Sequence, residues 1–278
     1  MLSELTWNRY GKSSVRLVKV RRDREPHELV DLSIDIQLEG AFEAVYTDGD
    51  NRSCLATDTM KNTVYALARH DPITSVESFA LKLADHFASQ IVVSKVRIAA
   101  VEYRWDRITA SGRAHPHGFI TGGPEHWTVV VTRDGNGVEI TSGLDELVML
   151  KTSDSAFSGF PRDAYTTLPD AEDRILATSV TATWRYRKGA TEFGARRIIR
   201  QLLVESFAEH VSRSVQHTLY AMAEAVLDAR PDVKEITLRM PNRHHLLVDL
   251  SPFGLDNPNE IFVATDQPFG LIEATVSR

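Results

Sequence analysis

The stretch VDLSIDIQLEGAF, residues 30–42, sets the reading of the fold. Leu32, Ile34, Ile36 and Leu38 alternate with Ser33, Asp35 and Gln37. A period of two puts the apolar side chains on one face of a β-strand and the polar ones on the other. With VRLVKVRR (15–22) before it, the segment predicts a hairpin. A polar turn, YTDGDNRS (46–53), follows, and then the period changes. In ATDTMKNTVYALARHDP (56–72), Met60, Val64 and Leu67 recur at helical spacing. Thr57, Asp58 and Thr59 are capping types, and Pro72 marks the stop. A second helix is predicted in TSVESFALKLADHFASQI (74–91). Thr74 and Glu77 have capping-box spacing there, and Val76, Phe79, Leu83 and Phe87 line one face. Strands return in VSKVRIAAVEYRWDRI (93–108) and HWTVVVTRDG (126–135).

The second half performs the same order. GVEITSG (137–143) and ILATSVTATWRYRKG (175–189) read as strands, and FGARRIIRQLLVESFAEH (193–210) and SVQHTLYAMAEAVLDARP (214–231) as helices. In the latter, Val215, Leu219, Met222 and Val226 form the apolar stripe. VKEITLRMPNRHHLLVDL (233–250) and GLIEATVSR (270–278) close as strands. The expectation is an α+β chain of two domains, residues 1–134 and 135–278, joined at RDGNG (133–137). Each would be an antiparallel four-stranded sheet with two helices on one face. Four strands leave two edges, which calls for pairing with another unit or another chain.

Composition narrows the function. With 278 residues, 42% hydrophobic and 25% charged, the chain is long enough for a sizeable core. A net charge of -6 and a pI near 5.9 argue against a general nucleic-acid binder. The basic clusters KVRRDR (19–24) and RRIIR (196–200) read as solvated faces. A single cysteine, Cys54, rules out an intrachain disulfide and fits a reducing cytoplasm. There is no secretory signal, no apolar run of membrane-spanning length and no Ser-Lys-Leu ending. A cytoplasmic protein with neither membrane nor nucleic-acid partners is expected.

PNRHHLLVDL (241–250) raises a question of chemistry. Read as a strand, it sends His244 and His245 to opposite faces, so the two cannot grip one metal ion. Asn242 and His244 share a face at the strand's mouth. His115 and His117 also share one, but no Cys-x-x-Cys or His-Glu-x-x-His spacing occurs. No metal site is expected.

RYGK (9–12), ATDTMKNT (56–63), HPHGFI (115–120), GFPRDAYTTL (159–168), DRIL (173–176), SVQHTLYAMAE (214–224) and PNRHHLLVDL occur in this order. Through them the chain resembles, over essentially its whole length, the urate oxidase (uricase) family of the tunnelling fold (T-fold). The resemblance implies tandem T-fold domains, a homotetramer with active sites shared between subunits, and no cofactor. It implies that Lys12, Thr57 and His244 form a proton relay. Such a lysine must be neutral near pH 7, which burial or a cationic neighbour can arrange; otherwise Lys12 reads as an exposed turn residue. From the sequence alone Thr57 reads as a helix cap, a role compatible with the relay, and Asp58 is implied to line the site. Arg174 is implied to clamp the urate anion with its planar guanidinium; the plain alternative is an ion pair with Asp173 or Glu172. Gln216 and the Val215 amide would read the opposite edge at a helix start. Phe157, otherwise ordinary core, would stack on the ring, and Asn242 would hold dioxygen or water above it. Arg243 stands where many relatives have lysine, and the longer carboxy-terminal tail of some relatives is not seen.

The implied activity is oxidation of urate by dioxygen and water to 5-hydroxyisourate and hydrogen peroxide. Two alternatives stand beside it. One is a zinc-using purine or pterin enzyme of the same fold, distinguished by bound metal and failure to consume urate. The other is an oligomeric purine- or pterin-binding protein without oxidase turnover, distinguished by urate binding without oxygen uptake.

Overall fold

The computed structural model describes residues 3–190, 193, 196–265 and 267–278. The chain divides into two compact units, residues 1–143 with 185–194, and 144–184 with 195–278. In the first, β1 (Tyr10–Arg21), β2 (Glu28–Gly40), β3 (Val93–Ala110) and β4 (Arg113–Asp134) are neighbours in that order, all antiparallel. The alternation in β2 is realised: Leu32, Ile34, Ile36 and Leu38 are no more than 1% exposed. A short helix α1 (Glu43–Thr47) leads to α2 (Thr57–His70) and α3 (Val76–Ala88). Helix α2 packs on β1, and α3 on β3 and β4. The α3 stripe of Val76, Phe79, Leu83 and Phe87 is buried as its spacing requires.

Three local expectations in this unit are corrected. The α2 stripe is Met60, Val64 and Ala68, with Ala68 rather than Leu67 completing the buried face. Residue 56, not 57, is its cap: Ala56 holds that position without a side-chain hydrogen bond. On α3 the cap is Ser75, whose hydroxyl accepts from the Ser78 N–H at 3.0 Å, rather than Thr74. Glu77 does not close a capping box. It is fully buried and accepts instead from the Ser142 hydroxyl at 2.8 Å, since a buried carboxylate must find a donor.

In the second unit the later part of β5 (Gly137–Lys151), β6 (Leu176–Tyr186), β7 (Val233–Pro241) and β10 (Leu271–Ser277) are neighbours in that order. Helices α4 (Arg196–Glu209) and α5 (Val215–Ala229) pack on one another, and α5 lies on β7 and β10. Of the helix expected from Phe193, Gly194 and Ala195 lie outside the described residues. Val215, Leu219, Met222 and Val226 are buried, as their stripe predicts.

The segment expected to run as one strand from 233 to 250 is two. β7 ends at Pro241, and β8 (His244–Leu247) pairs with β9 (Phe262–Thr265) in a sheet of its own. The backbone hydrogen bonds explain the break. Asn242 donates to Gly270 O at 2.8 Å, whereas Arg243 donates to Ala177 O at 2.8 Å. The chain thus leaves the β10 ladder within two residues. Leu246 and Leu247 are 53% and 49% exposed, so the apolar alternation there marks no buried face.

Leu83, fully buried on α3, tests this core. Leu83→Ala is expected to destabilise by about 2–5 kcal/mol through lost transfer energy and a residual cavity, read from the denaturant midpoint. A change no larger than the roughly 0.5 kcal/mol of a surface substitution would contradict its placement.

Candidate functional site

The amino-terminal cluster is built on a close approach of two strands. A Cβ at Gly11 would lie 1.8 Å from the Ile36 carbonyl oxygen, so only glycine lets β1 come this near β2. The next residue, Lys12, stands opposite Ile36, and the register shifts between Lys12 and Val15. Ser14 sits there at φ 56, its N–H bonded to Asp35 Oδ1 at 2.6 Å. Such a bulge re-aims the side chains beside it. Tyr10, just before, packs edge-on against Phe42 at 4.8 Å. Its hydroxyl is pushed up to about 12, chiefly by burial and then by Cys54.

Thr57 is the first residue of α2, and capping falls to Ala56, so the threonine hydroxyl is not committed to a cap. Asp58 follows, bonded by Lys61 Nζ and, at 3.0 Å, by Asn62 Nδ2. Lys61 holds its carboxyl below the usual range, and Lys12 contributes a smaller pull of the same sign.

The other six candidates belong to the second unit, where hydrogen bonds lace together the segments that carry them. Phe157 and Ala171 exchange backbone bonds of 2.7 and 3.0 Å. Ala156 donates to Ser212 O at 2.8 Å, and Ser212 to Asp154 O at 2.9 Å. Asp173 accepts from the Ser153 hydroxyl at 2.6 Å and the Ser155 N–H at 3.1 Å. These two donors, in that order, hold its carboxyl below the usual carboxylate range. Asp173 is thus committed to the 153–155 backbone and side chains, and Arg174 is left to turn elsewhere.

Arg174 lies with its guanidinium carbon 5.2 Å from the Phe157 ring centroid. Phe157 in turn stacks on Phe160, with centroids 4.9 Å apart and planes 11° from parallel. Burial lowers the Arg174 pKa, and among the described residues its Nε has no hydrogen-bond partner. Two residues past Ser212, Ser214 caps α5 by accepting from the His217 N–H at 3.1 Å. This leaves the amides of Val215 and Gln216 without an intrahelical acceptor. The Val215 side chain is buried, while Gln216 is exposed. Finally, Asn242 bridges to Thr178, and its Nδ2 lies 3.4 Å from His244 Nδ1. His245 instead faces the Arg243 carbonyl, 3.1 Å away.

The structure therefore joins Arg174 with Phe157 and Asn242 with His244, sets Val215 beside Gln216 and Thr57 beside Asp58 at two helix starts, and brings Lys12 to Asp58 only as a weak electrostatic influence. Two supporting residues escaped the sequence reading. In the sequence Asp173 reads only as an ion-pair partner for Arg174, and Phe160 in GFPRDAYTTL carries no role of its own. An acidic residue directly before an arginine and two phenylalanines three apart are weak signals alone. Among the described residues, no three His, Cys, Asp or Glu side chains come together in a group that could hold a metal ion. No helix is long and apolar enough to cross a membrane.

Two sheet-and-helix-pair units of this kind define a tandem T-fold protein of α+β class. The uricase family model matches residues 8–132 and 140–273. A uricase from Arthrobacter globiformis is 48% identical over 98% of this chain and 89% of its own. Its crystal structure superposes with a TM-score of 0.94, covering 100% of this chain and 96% of that one. A Dictyostelium discoideum uricase is 36% identical over 100% of this chain and 98% of its own. The chain belongs to the uricase family.

The Asp173 bonds make a direct test. Asp173→Ala frees the Ser155 N–H, so amide exchange across 153–157 is expected to speed up. Wild-type protein should loosen likewise on acidification. A carboxylate whose folded pKa lies below its ordinary value stabilises above that ordinary value, and the stabilisation is lost as pH falls through the depressed one. Equal exchange in variant and wild type would show that Asp173 does not fasten this segment.

Proposed function

We propose that the chain is a urate oxidase, converting urate, dioxygen and water to 5-hydroxyisourate and hydrogen peroxide. One observation carries the reading. Arg174 is a half-buried cation whose Nε has no partner among the described residues, set beside an aromatic face. A desolvated guanidinium without a counter-ion is costly, and a flat anion that stacks on Phe157 while accepting from Arg174 removes that cost. Urate monoanion has this shape and charge. Gln216, with the Val215 N–H, reads the opposite edge at the positive end of α5. Asn242 holds dioxygen, then water, above the ring.

Lys12, Thr57 and His244 take the second proton from urate. The dianion gives two electrons to dioxygen, which leaves as hydrogen peroxide with the proton held by the relay and the one released by the water that is added. Water then adds to carbon 5. The substrate is the reductant, so the scheme uses no flavin or metal; the residues supply orientation and charge stabilisation. Asp58 lines the site, its charge set by Lys61.

The working form is a homotetramer in which one subunit brings Lys12, Thr57 and Asp58. Its neighbour brings Phe157, Arg174, Val215, Gln216, Asn242 and His244. The one-sided pairing of β1 and of β10 supports this arrangement, since each offers an edge to another chain. A reducing cytoplasm, suggested by the lone Cys54, is the setting.

Urate added to the protein should lose its absorbance while oxygen is consumed and peroxide appears in equal amount. Binding without oxygen uptake would reduce the protein to a purine binder. Lys12→Met should lower kcat by about 10²–10⁴-fold, the usual worth of a proton-transfer group, yet keep affinity for a non-oxidisable urate analogue. Arg174→Ala should weaken that affinity roughly 10- to 100-fold, as expected for a charge-assisted hydrogen bond. Co-refolding the two inactive chains should restore part of the activity. Mixed oligomers confirmed by mass but still inactive would overturn the shared site.

A further inference from the structure

Beside the α5 amino terminus lies a histidine pair to which nothing above gives a role. His210 directly follows α4, and His217 lies in the first turn of α5. His210 Nε2 and His217 Nδ1 are 3.1 Å apart, with ring centroids at 4.3 Å and planes crossed at 67°. That is hydrogen-bond distance, with one imidazole donating and the other accepting. His210 is held from behind as well. Its N–H donates to Ser206 O at 3.1 Å, and its carbonyl accepts from Lys151 Nζ on β5. Lys151 itself sits 5.9 Å from the Phe207 ring. A fixed point on α4 and β5 is therefore connected, through two rings, to the turn that begins α5.

That turn is held by the Ser212 hydroxyl, which donates to Ser214 O at 3.0 Å, and by the buried Val215 side chain, while its exposed face is left to other contacts. Ser214 caps it from within the chain, and Ser212 ties the preceding residue pair to Asp154. Gln216 and His217 are both exposed, so core packing does not fix them. A substrate edge is read well only when its donors are already in place, because ordering them on binding subtracts from affinity. Burial, then His217, then Lys151 lower the His210 pKa, the direction that favours the neutral ring a histidine–histidine hydrogen bond needs.

We propose that His210 and His217 are positioning residues: their hydrogen bond fixes the first turn of α5 and so sets the Val215 amide and Gln216 side chain against the substrate edge. The inference rests on the urate oxidase reading of that turn and adds two residues to it. Neither histidine touches the reacting atoms, so the effect falls on binding.

His217→Ala and His210→Ala should each raise KM for urate, and Kd for a non-oxidisable urate analogue, by roughly two- to tenfold, the worth of one hydrogen bond. Values of kcat should stay within about twofold of wild type, a change too small to reflect lost transition-state contacts. The double variant should bind no worse than either single one, since both remove the same bond. His217→Asn, whose amide can occupy the place of Nδ1, should recover most of the affinity. Wild-type KM in the alanine variants, additive losses in the double variant, or an Asn variant as weak as Ala would each overturn the proposal. If His210→Ala does not fold, the Ala and Asn variants at 217 decide the matter between them. Wild-type protein that neither consumes urate nor binds the analogue would instead overturn the functional reading itself.

Discussion

An alternating strand has one face that must be kept from water, and this burial governs the rest of the structure. In β2 four aliphatic side chains lie almost wholly out of solvent, and fully burying each is worth roughly 1.5–3 kcal/mol. A single sheet cannot supply its own cover, so two helices must follow and lie across it. Helix spacing and strand spacing then determine which residues remain at the margins. Lys12 sits near the start of β1, Thr57 at the first position of α2, and Val215 and Gln216 at the first positions of α5. These margins are where backbone donors lack helical partners and where polar side chains escape the core.

Where one periodicity persists for many residues, the sequence reading and the structure agree. The β2 alternation and the α3 and α5 stripes each repeat four apolar positions, and no local competitor offers as much buried area. The departures occur where single residues decide. Ser75 and Thr74 are both capping types one position apart, and the Ser78 amide selects Ser75. Asn242 and Arg243 look like strand residues, yet their amides face different partners and divide the strand. The apolar look of residues 246 and 247 carries no information about burial within one chain.

The candidate site was less legible than the fold. Arg174 in AEDRIL has the composition of a surface ion pair, and only the resemblance to a family gave it another part. The structure adds a physical reason: Asp173 is occupied by Ser153 and Ser155, so the neighbouring guanidinium finds no counter-ion there. Gly11 is the opposite case. Its identity is dictated by a carbonyl 1.8 Å from any added Cβ, but that contact joins residues 25 positions apart and no local pattern reports it. The histidine pair is similar, since residue 210 directly follows α4, residue 217 lies in the first turn of α5, and the two rings meet only across the loop between them.

The unpartnered Nε of Arg174 also bears on the resting protein. A cation drawn partly out of water attracts any anion that can reach it, and an anion that binds the folded state alone stabilises that state by mass action. Buffer phosphate or chloride would then act on folding through occupancy. This runs against the ordinary action of salt, which screens exposed pairs such as Arg133 with Asp85 and weakens them. An anion held at Arg174 would therefore raise thermal stability by occupancy, an effect distinct from screening by ionic strength.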